Sequence, residues 1–193
     1  MKKSLGLAAV FGVAVLLALP VTGQAAAIDN NSGMTTAEVG LTQDPNGQIM
    51  LTQAPSFNFG SGVLTAEEMT LTPVTTDELT VANPSLNTGW RVEVSATPFV
   101  DDDTSFTLNS TDFTINGIVS PEDTKNPSVY PTNFSVDVNP KPQVVLQAEK
   151  NTGLGIWHDS YSEGNATLTV PGGNQPGSYS STMTWTLSSL PEE

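Results

Sequence analysis

The sequence predicts an all-β protein, a single antiparallel, β-sandwich-like domain. Three observations carry this. Apolar and polar residues alternate in several separate stretches, and a period of two puts each apolar set on one side of a strand. Segments rich in Asn, Pro and Gly separate those stretches and read as turns. No long apolar stripe follows the 3.6-residue period of a helix.

The chain opens on a secretory signal peptide, read over residues 1–27. Lys2 and Lys3 give a positive start, Leu5 to Leu19 is uncharged and apolar, and Ala25-Ala26-Ala27 offers a small-residue cleavage site. The run is short of the roughly 20 residues of a membrane-spanning helix. No second apolar stretch follows, so no transmembrane segment is expected once the signal is removed. Leu19-Pro20-Val21-Thr22-Gly23 spells a sortase-like signal, but such a signal belongs near a C-terminus, and covalent wall anchoring is not expected. Residues 28–34 read as a flexible leader and residues 35–193 as the β domain.

Within that domain the alternating sets are Ala37, Val39 and Leu41; Trp90, Val92, Val94 and Ala96; Phe134, Val136 and Val138; Ala166, Leu168 and Val170; and Tyr179 through Leu187. Turns fall at "DPNG" (44–47), "NPSLNTG" (83–89), "NPKP" (139–142) and "PGGNQPG" (171–177). Glu67 and Glu68 could begin a helix, but the neighbouring threonines and Pro73 favour an edge strand or turn. Between Asp101 and Lys125, "FTLNS" and "FTING" read as strands and the stretch from Val119 to Pro131 as an irregular loop.

Charge and composition exclude several functions. The chain has 20 acidic residues against six basic ones and a formal charge of −14. Removing the signal takes two lysines and leaves only Arg91, Lys125, Lys141 and Lys150. Such a chain gains nothing by charge from nucleic acid or anionic lipid. It has no cysteine, which excludes disulfides, thiol chemistry and thiolate metal sites. His158 is the sole histidine. One histidine without cysteine does not build a usual zinc site, and no G-x-S-x-G accompanies it. No catalytic residue and no cofactor is expected. Asp101, Asp102 and Asp103 form the densest acidic cluster. They could hold calcium in a tight loop, but their spacing is not that of an EF-hand, and a solvated acidic turn is the plainer reading.

Trp90 with Val92 and Trp185 with Leu187 each share a strand face. Patterning favours the core for both tryptophans, with a binding surface as the alternative. Three segments add a further reading: "PSFNFGSGVLT" (55–65), "TGWRVEVSATPF" (88–99) and "NATLTVPGGNQPGSYSSTMTWTLSSLP" (165–191). In this order they resemble the WxL-domain family of Gram-positive surface proteins, in its small, single-domain form. Trp185-Thr186-Leu187 matches that family's second motif. The first reads Trp90-Arg91-Val92, with valine in place of leucine; it keeps a branched apolar side chain on the same face. The resemblance implies an exported protein held on the cell surface without a covalent link. It also implies attachment to peptidoglycan, companion surface proteins, and Trp90, Val92, Trp185 and Leu187 as motif residues with a possible binding role. A subunit that contacts only protein partners and a secreted glycan hydrolase are the rival readings. The second lacks a catalytic constellation.

Overall fold

A computed structural model describes residues 36–162 and 164–190. The signal segment and the leader lie outside these residues. The described chain contains strands and no helix. The β domain begins at Thr42, and the described residues 36–41 lie outside it.

Three four-stranded sheets, all antiparallel, carry the domain. The first has the order β1 (Met50–Gln53), β5 (Leu79–Asn83), β13 (Gly155–Ser160), β9 (Ile118–Pro121). The second runs β10 (Thr132–Asn133), β12 (Gln143–Ala148), β6 (Trp90–Ala96), β16 (Met183–Ser189). The third runs β11 (Val136–Asp137), β8 (Asp112–Ile115), β14 (Ala166–Val170), β3 (Met69–Leu71). Two short ribbons complete the fold: β2 (Phe57–Asn58) with β4 (Thr75–Thr76), and β7 (Val100–Asp101) with β15 (Tyr179–Ser180).

One core joins these sheets. Leu79 and Val81 reach it from β5, Trp90, Val92, Val94 and Ala96 from β6, Phe113 and Ile115 from β8, and Ala166, Leu168 and Val170 from β14. On β6 and β14 every second residue is buried, as the alternation requires. Burying side chains of this size stabilises a fold by about 1.5–3 kcal/mol each, and with no disulfide this packing is what holds the domain together.

Several expectations are corrected. Ala37, Val39 and Leu41 do not form a strand; Val39 and Leu41 are 84% and 90% exposed. Alternation defines a face but supplies no neighbour to pair with. The Phe134–Val138 run is split, because β10 joins the second sheet and β11 the third. Phe134 is consequently exposed while Val138 is buried. The Tyr179–Leu187 run is also two strands. Its register moves from Ser180↔Val100 to Met183↔Ala96, leaving one extra residue on the β6–β7 side, a bulge that bends both chains. The Ser181 hydroxyl donates to the Thr97 carbonyl at 2.6 Å there. "FTLNS" contributes only a bridge, Thr107 to Val100, and the stretch from Val119 begins inside β9 rather than in a loop. Glu67, by contrast, sits in a bend leading into the edge strand β3, in agreement with the edge strand or turn read there.

Candidate functional site

The two motif tryptophans end in different surroundings. Trp90 opens β6 and has no exposed surface. Its indole N–H donates to the Gly153 carbonyl at 3.3 Å. Gly153 has φ +62°, and a Cβ there would lie 2.5 Å from the Ala148 Cβ and 3.1 Å from the Trp90 ring. Only glycine lets the turn close over the indole. Val92 is equally buried. The first motif is therefore core. Trp185 and Leu187 lie on β16, the edge of the second sheet, and both are half-buried against the core. The Trp185 ring is 6.3 Å from that of Tyr161, and its indole nitrogen is shut off from water with no hydrogen-bond partner.

Trp185 lines a groove of about 1150 Å³. The groove opens between the edge strands β16 and β3, with the segment carrying Phe57 and Phe59 along it. Phe57 and Phe59 meet Phe113 edge-on, at 5.4 Å and 5.3 Å between ring centroids. Met69, Leu71 and Met183 extend the apolar lining, and Gln175, Ser178 and Ser180 add polar groups to it. The sequence held a signal for this site that was not read as one: the period-two pair Phe57 and Phe59 in "SFNFG" places two large aromatics on one side of an extended segment.

The aspartates do not converge. Asp101 is buried, and it accepts from the Thr104 hydroxyl and backbone N–H and, at 2.7 Å, from the Ser178 N–H. These bonds, led by the Thr104 hydroxyl, hold its carboxyl below the ordinary aspartate range. Asp102 accepts from Ser180 Oγ at 2.9 Å, and Asp102 and Asp103 are exposed. The cluster knits β7 to the β15 approach. Among the described residues no group of three His, Cys, Asp or Glu side chains is placed to hold a metal.

His158 projects from β13 between two carboxylates, with Glu78 at 3.3 Å from Nδ1 and Glu122 at 2.6 Å from Nε2. Ser160 Oγ donates to Glu78 at 2.6 Å. The carboxylate thus stands between serine and imidazole, which is not the order of a Ser-His-Asp relay. The neighbouring Asp159 points inward. Its Oδ2 accepts from the Tyr161 hydroxyl at 2.7 Å, and its Oδ1 is buried with no partner. Desolvation pushes this carboxyl up to about 6, against the pull of the Tyr161 bond. Burial likewise raises Tyr161 above the usual phenol range.

An all-β domain with an apolar groove lined by aromatic and polar side chains has the form of a binding domain. A family model described as "WxL domain surface cell wall-binding" matches residues 35–191. The chain belongs to the WxL-domain family, which makes it a non-enzymatic cell-wall and surface-binding protein. No curated protein and no solved structure gave a significant match. No helix among the described residues is long and apolar enough to cross a membrane.

Proposed function

We propose that the protein attaches without a covalent bond to peptidoglycan and works there beside companion surface proteins. The observation that carries this is the family match, which spans the described β domain. The groove supports a binding role, because aromatic and polar side chains in one lining combine apolar contact with hydrogen-bonding specificity. Export through the N-terminal signal read over residues 1–27 belongs to the same proposal.

Cosedimentation of the purified mature chain with protein-free peptidoglycan tests it. The expected result is saturable retention that survives washing. A chain that stays in the supernatant on bare walls, yet is retained on walls that keep their surface proteins, would show attachment through protein partners alone.

A further inference from the structure

We propose that the free edge of β16 accepts an extended segment of a partner protein, whose alternate apolar side chains fill the adjoining groove and whose ends are basic. This rests on the companion-protein part of the function above and states how such a partner is held.

The register of β16 on β6 supplies the first observation. Thr97 N–H donates to the Thr182 carbonyl at 3.0 Å, and Leu190 N–H to the Gly89 carbonyl at 2.8 Å. With Met183 opposite Ala96 and Leu187 opposite Val92, antiparallel pairing bonds the even-numbered residues to β6. Met183, Trp185, Leu187 and Ser189 therefore turn their N–H and C=O groups outward. Among the described residues no strand pairs with β16 on that side, although β1 comes near it.

The second observation is that this edge is unguarded. Met183–Ser189 contains no charged residue and no proline, the devices by which natural sheet edges avoid pairing. The other four-stranded sheets end on shorter strands. β3 has three residues and β11 two, while β9 carries Pro121 and β1 has a register break.

The third is the groove. Met183 and Trp185 line it from β16, so a strand added there would direct every second side chain over the same face, between β16 and β3. Charge selects the occupant. Exposed Glu68 adjoins Met69 of the groove wall, and exposed Asp102 is bonded to Ser180 of that wall. None of Arg91, Lys125, Lys141 and Lys150 lines it. A second copy would bring the same acidic surface to this rim, with a formal charge of −14 on each full chain. A segment with lysine or arginine at its ends complements it.

The test uses the mature chain and a synthetic peptide of alternating valine and threonine with two lysines at each end, followed by amide hydrogen exchange. The amides of Met183, Trp185 and Leu187 are expected to slow by about ten-fold or more at saturation. The same peptide N-methylated on the pairing edge should not bind. A version ended in glutamates should bind about five-fold more weakly at low salt, the gap narrowing by ~0.5 M. Met183→Pro removes an outward N–H without touching the β6 ladder and should abolish binding, while Met183→Leu should retain it. If the proline variant does not fold, the N-methylated peptide decides. Equal binding of the N-methylated peptide, or slowing confined to other strands, overturns the proposal. So does slowing of the β16 amides with rising protein concentration alone, which would make a second copy the occupant. Wall cosedimentation run in parallel separates the two proposals. Peptide binding without wall retention removes the peptidoglycan reading and keeps this site, and the reverse outcome removes this site alone.

Discussion

The three tryptophans sort by what their indole nitrogens meet. Those of Trp90 and Trp157 donate to the carbonyls of Gly153 and Leu154, and both rings are fully buried. Replacing either by alanine is expected to cost about 3–5 kcal/mol. Trp185 is half-buried, so Trp185→Ala should cost about 1–3 kcal/mol. Its unpaired indole makes Trp185→Phe milder still, within about 1 kcal/mol of the parent, because a buried donor without a partner is itself destabilising. Urea unfolding of the variants decides the order. Asp159 gives a pH signature. Its folded pKa of about 6 lies above the ordinary 3.8, so the folded state keeps a proton that the unfolded chain has released. That contribution is fully present below about pH 4 and is lost as pH rises through 6, on the order of 2–3 kcal/mol. Asp159→Asn should remove this decline, leaving the variant more stable than the parent at pH 7.5 and nearly equal to it near pH 4.

At the scale of the strand, β16 makes a prediction in the free protein. The amides of Thr184, Thr186 and Ser188 should exchange slowly and those of Met183, Trp185 and Leu187 fast, a two-residue sawtooth that hydrogen-exchange NMR resolves. Strands such as β6 and β14 were legible because one face is apolar and the other polar throughout. Others were hidden by local physics. In β12 a register shift between Val144 and Leu146 interrupts the alternation, so Val145 and Leu146 are buried side by side. In β13 the pattern is inverted at two places: Ile156 is partly exposed and Asp159 is buried. Gly117 leaves the space that Asp159 occupies, since a Cβ there would collide with its carboxylate. The candidate site was legible only in part. Trp185 was visible in its motif, but the groove beside it joins β3, β8 and β16 with the Phe57 segment, residues that only the fold brings together.

For the whole molecule, charge sets the terms of wall attachment. Export as proposed above would remove Lys2 and Lys3 and leave a chain more acidic than −14, which wall polymers rich in phosphate would repel. Retention on bare walls is therefore expected to persist or strengthen as salt rises to about 0.15 M, where the screening length is about 8 Å. It should strengthen again as pH falls toward 4, where carboxylates in general begin to protonate. Cosedimentation across salt, pH and chelator measures this. Binding strong at low salt and lost steadily by about 0.15 M would show that ion pairing dominates.

The pairing of β6 with β16 also sets when this domain is able to fold. Trp90 and Val92 enter the growing polypeptide long before Met183–Ser189, their partners in the sheet. Until that late segment arrives, β6 has an open side and the core around it is incomplete. A topology ruled by such distant partners folds slowly, in milliseconds to seconds rather than microseconds. β6 accordingly waits for its second neighbour until nearly all of this domain has been made, and a chain exported as proposed above would still be unfolded when a translocation channel threads it.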